Sequence, residues 1–184
     1  MKKYLLSLIM AVVVLALGSA TTFAASPTDK EVISAYHAAN QIFDWYGKNP
    51  LPTNGKSKYE QGYMIYYNVD SPIIHSFADL RRETEMQFTP AFTSLLISNT
   101  RIYKNVNGIL YVAPANRGDN IFAGNTTFRV LRDATKPDVI TLQTSTAIYE
   151  SPSHTGKITK YDVKTFPYVN TPNGWRFSDF QSVK

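Results

Sequence analysis

FTPAFTSLLISNTRIYKNVNGILYVA, Phe88 to Ala113, decides the fold class of this chain, because helix and hairpin signals meet inside it. Thr89 suits a helix N-cap and Pro90 the first helical position, where its missing N–H costs nothing. Phe92, Leu95 and Leu96 then recur at helical spacing. After Arg101 the pattern changes. Residues 101–106 and 109–113 flank Asn107-Gly108, the dipeptide that best suits a two-residue hairpin turn.

Upstream of this switch the signals are helical. Thr28 and Glu31 form a capping box. Val32, Tyr36, Ala39, Phe43 and Tyr46 follow at intervals of 3 or 4, and Gly47 with Asn49-Pro50 ends the run, predicting an amphipathic helix over 28–47. Residues 48–58 read as a polar loop and residues 59–69 as an aromatic-rich strand. Ser76 can cap a second helix to about residue 87, with Asp79 near its positive end. Downstream the signals are extended: 126–133, 138–149, 157–170 and, after the turn Pro172-Asn173-Gly174, 175–181. Helices first and antiparallel strands later predict an α+β class, with N-terminal helices packed on a curved, cone-like antiparallel sheet in one domain. The helical part covers about 28–98 and the sheet part about 101–182.

The first residues predict export. Lys2 and Lys3 precede an apolar run from Tyr4 to Leu17, broken only by Ser7, and small residues lead to Thr22-Phe23-Ala24. This is the pattern of a secretory signal peptide, residues 1–24, cleaved after Ala24. The run is shorter than the roughly 20 residues that span a bilayer, so no transmembrane segment is expected in the mature part, residues 25–184. Without the two leader lysines, 17 basic residues face 14 acidic ones. Mild positive charge suits contact with anionic cell-wall polymer or a membrane surface. The lysines and arginines do not cluster, which argues against nucleic acid. The chain has no cysteine, so thiol nucleophiles, disulfides, thiolate metal sites and a lipoprotein anchor are excluded.

No catalytic signature stands out, and the chain is expected not to be an enzyme and to need no cofactor. His37, His75 and His154 share no metal-ligand spacing, so no metal site is expected. No G-x-S-x-G turn is present. Glu83 and Glu85 point to different sides of a helix and read as a solvated face with Arg81 and Arg82. Two features remain as binding candidates. One is an aromatic face built from Tyr63, Tyr66, Tyr67 and Tyr111, able to stack on sugars or grip a protein. The other is the polar loop 114–125, with Asn116, Arg117, Gly118, Asp119, Asn120 and Phe122. It contains an Arg-Gly-Asp triplet and two glycines that permit unusual backbone angles.

In order along the chain stand the aromatic segment 63–69, the helix 79–88, FTPAFTSLL (88–96), RIYKNVNGILYVAPANRGDN (101–120), TTFRVL (126–131) and NTPNGWRFSDF (170–180). This order resembles the secreted IseA-type inhibitors of bacterial DL-endopeptidases over about 120 residues. The sequence departs from that pattern in carrying Arg117 and a single acid in the loop, and in a longer segment after 138. The resemblance implies a non-enzymatic exported protein whose partner is a peptidoglycan endopeptidase of the NlpC/P60 autolysin type. It implies that a protruding loop fills the partner's catalytic cleft, with Asp119 mimicking a substrate carboxylate, Asn116, Arg117 and Asn120 as hydrogen-bonding neighbours and Phe122 either an apolar anchor or part of the core. The alternative is a secreted cone-shaped α+β binding module that holds a cell-wall glycan or a small apolar ligand between helix and sheet with the tyrosines.

Overall fold

The computed structural model describes residues 25–115 and 118–182. The leader read over 1–24 lies outside the described residues, as do Asn116 and Arg117 of the loop.

Three helices form where their caps predict them. Helix α1 (Asp29–Asp44) starts at Thr28, whose hydroxyl accepts from Glu31 N–H while Glu31 accepts from Thr28 N–H at 2.7 Å. It buries Val32, Tyr36 and Ala39, one stripe of its surface. It ends earlier than Gly47, because the Asp44 carbonyl collects the N–H groups of Gly47, Lys48 and Asn49 in a closing turn. Helix α2 (Phe77–Glu85) is capped by Ser76 in a reciprocal pair with Asp79. Helix α3 (Pro90–Asn99) begins at Thr89 with Pro90 in its first turn.

The strands divide into two four-stranded antiparallel sheets, so the class is α+β in one domain with two sheets. The first contains β1 (Thr53–Gln61), β2 (Met64–Val69), β3 (Tyr103–Val106) and β4 (Ile109–Val112), in the order β1-β2-β4-β3. The second contains β5 (Ala123–Arg132), β6 (Val139–Tyr149), β7 (Ile158–Thr171) and β8 (Gly174–Phe177), in sequence order. The Asn107-Gly108 turn is as read: both residues take positive φ, 52° and 85°. The segment 48–69 differs from its reading as loop and single strand. It is a hairpin, β1 and β2, turning at Gly62, whose φ is 61°. β1 has an almost wholly exposed burial pattern. It is held by pairing with β2 rather than by an apolar face, so hydrophobic periodicity cannot reveal it.

Each sheet has its own core. α1, the α2–α3 junction and the second sheet enclose Val32, Tyr36, Phe88, Ile140, Leu142, Phe166, Phe177 and Phe180. The first sheet and α2 enclose Leu51, Val69, Ile74, Leu80, Tyr103, Leu110 and Val112. Polar links reinforce each core. Tyr103 donates to the Trp45 carbonyl at 3.0 Å and accepts from Leu51 N–H at 3.1 Å. Thr89 and Phe177 N–H groups donate to the Phe177 and Gln87 carbonyls, each at 2.9 Å, stitching the helices to β8. Among the described residues, no helix is long and apolar enough to cross a membrane.

Candidate functional site

The loop between β4 and β5 runs along the surface. Gly118, Asp119, Asn120, Ile121 and Phe122 are exposed, Ile121 by 61% and Phe122 by 38%. Two large apolar side chains thus stand side by side in water. The segment is held from three sides. The Asp119 carboxylate pairs with Lys48, just beyond the end of α1, and stays 55% exposed. Asn120 turns the chain on itself, its side-chain oxygen accepting from Phe122 N–H at 3.1 Å and its carbonyl from Ala123 N–H at 2.9 Å. The Ile121 carbonyl meets His154 Nε2 at 3.0 Å, and the His154 ring lies 5.2 Å from that of Tyr149.

Two clefts open where α1 ends. A polar one of about 480 Å³ lies between α1 and β5, with Tyr36, His37, Asn40, Asn125 and Phe128 in its walls and Asp119 at its rim. A more apolar one of about 350 Å³ lies between the end of α1, α3 and the C-terminal segment, against Phe43, Leu96 and Phe180. Asp44, Lys48 and Ser182 line both. Burial raises the Asp44 carboxyl above its ordinary value, Lys48 opposes this and the Asp119 charge adds to it. Burial, reinforced by Asp44, also pushes the Tyr36 phenol up to about 12.

The four tyrosines do not share one face. Tyr66 pairs across strands with Tyr59, and Tyr111 pairs with Asn68 and Lys104, so Tyr59, Tyr66, Tyr111 and Lys104 lie on the side of the first sheet away from its core. Ring centroids there are 6.3 and 6.4 Å apart, and the Lys104 ammonium sits 6.0 Å from the Tyr66 ring. Tyr66 itself is only 3% exposed. Tyr67 alternates to the core side opposite Val112, and Tyr63 stands fully exposed at the hairpin tip. None of the four lines the two clefts.

His37 packs against Tyr36 and Phe128 rather than pointing to a second histidine. Among the described residues, no group of three His, Cys, Asp or Glu side chains is placed to hold a metal ion. Sequence reading missed Lys48, Asp44 and His154. Lys48 and His154 reach loop residues far away in the chain, and no local pattern encodes such pairings. No protein-family model matches the chain. No curated protein matches it.

Proposed function

We propose that this chain is an exported, non-enzymatic inhibitor of peptidoglycan DL-endopeptidases of the NlpC/P60 autolysin type, blocking the catalytic cleft with the loop 114–125. The observation that carries the reading is the exposed run 118–122, which sets a carboxylate beside two apolar anchors on a braced turn. Bracing matters because a segment already ordered loses less entropy on docking than a flexible substrate does. A cleft shaped for a carboxylate-bearing wall peptide accepts an acidic loop that it cannot cut there. Asn116, Arg117 and Asn120 are the polar neighbours in this reading, and Phe122 is the anchor.

The test is to mix the purified protein with an NlpC/P60 autolysin and follow release of wall fragments. Hydrolysis should fall as the protein saturates. Phe122→Ala should weaken inhibition more than tenfold, the scale of a buried interface anchor. Unchanged hydrolysis at saturating protein overturns the reading.

A second reading, contact with cell-wall glycan, is favoured by the Tyr59, Tyr111 and Lys104 face. Aromatic rings beside a cation suit the stacked face of a sugar and an anionic polymer. Pull-down on purified peptidoglycan, with Tyr111→Ala as control, separates wall binding from autolysin binding.

A further inference from the structure

The paired clefts at the end of α1 bring acidic side chains together. Besides the phenols of Tyr36 and Tyr46, their ionisable side chains are Asp44, Asp119, Asp179, Lys48 and His37. Among the described residues, three carboxylates and one ammonium line them, in a chain whose formal net charge is +5. Lys48 is engaged by Asp119. Asp44 receives an amide hydrogen from Asn40 at 3.3 Å and lines both clefts. It also stands at the C-terminal end of α1, where the helix carbonyls are negative and the last turn holds no basic residue. Half-burial disfavours a negative charge at this position, Lys48 offsets part of this, Asp119 and the helix end add to it, and a cation entering the cleft would compensate the charge.

The walls indicate the kind of cation. Tyr36, His37 and Phe128 form an edge-to-face trio with centroids 5.3 to 5.5 Å apart. Aromatic faces beside a carboxylate attract an ammonium group. The neighbouring cleft, against Phe43, Leu96 and Phe180, offers apolar surface for an alkyl chain. The volumes suit a small molecule or one side chain rather than a polymer.

We propose that these clefts bind an alkyl ligand bearing a primary ammonium group, with Asp44 as counter-ion, Asn40 as polar neighbour, Phe128 and His37 as the aromatic wall, and Phe43 and Leu96 against the alkyl chain. The site is independent of the inhibitor reading, and no autolysin enters its test. The purified protein is titrated with cadaverine, with lysine blocked at its α-amine and carboxylate, and with 1-pentanol as the uncharged control, following the Asn40 and Asn125 side-chain amides by NMR. Saturable shifts are expected with an amine and none with pentanol. Asp44→Asn should weaken amine binding at least tenfold while its melting temperature confirms folding. Lys48→Met, which removes the competing internal cation, should tighten it. Tighter binding of blocked lysine identifies a peptide-borne amine as the ligand, and tighter binding of cadaverine a free diamine. The proposal is overturned by no saturable shift with either amine up to about 10 mM, a very weak limit. Equal response to pentanol, or unchanged affinity in Asp44→Asn, also overturns it.

Discussion

Asp44 shows how much one side chain's surroundings outweigh its type. Folding raises its carboxyl above the ordinary 3.8, chiefly by burial. The folded chain therefore holds a proton that the unfolded chain has released, and stability falls as pH rises from about 4 through the raised value. Asp44→Asn removes that slope and the unfavourable charge at the helix end. It should stabilise the protein at neutral pH by about 0.5 kcal/mol, with no gain once Asp44 is protonated in both states. Urea melts at pH 7 and at pH 3 check this. Asp79 behaves in the opposite sense: hydrogen bonds from Ser76, then from His75 N–H, with Arg82 assisting, hold it down to about 2. Its contribution is present above about pH 4 and is lost as pH falls toward 2. Its place near the positive end of a helix capped by Ser76 was legible, and the reciprocal bond to Ser76 is what the structure adds. The position of Asp44 was not legible, because burial and the Asp119 charge come from segments distant in sequence.

Elements divide by how local their causes are. All three helices begin at a cap visible in the sequence, and the β3–β4 hairpin follows from Asn107-Gly108. At that turn Gly108 holds φ 85° with nothing near the position of a Cβ. Gly108→Ala therefore meets backbone strain without a clash, and should cost about 1 to 2 kcal/mol, read as a lower urea midpoint with unchanged slope. The β1–β2 hairpin was not legible. Its first strand is polar along nearly its whole length, so its pairing with β2, from Thr53↔Val69 to Gln61↔Met64, leaves no periodic trace. The loop 118–122 belongs to the same class. Its exposure was expected from its polarity, but its bracing by Lys48 and His154 joins segments that only folding brings together.

At the scale of the molecule, Phe180 is the side chain on which the larger core closes. Its ring lies 4.8 Å from Phe166, 5.3 Å from Tyr36 and Phe43, and 5.4 Å from Phe88 and Phe177. It joins α1, the α2–α3 junction and both C-terminal strands. Phe180→Ala should cost about 3 to 5 kcal/mol, and thermal unfolding should show it as a large fall in melting temperature. The same substitution opens the wall of the apolar cleft, so core and candidate site share this residue.

The sequence by itself determined the α+β class, the helix starts, the turns at Gly108 and Gly174 and the polarity of the loop, since caps, positive-φ turns and amphipathic stripes act over a few residues. Only the tertiary structure decided that the strands form two sheets, that Tyr66 comes together with Tyr59 and Tyr111 on one face, and that Asp44, Lys48 and Asp119 meet at one cleft. Those outcomes depend on burial and on charges tens of residues apart, and these interactions exist only once the chain has closed on itself.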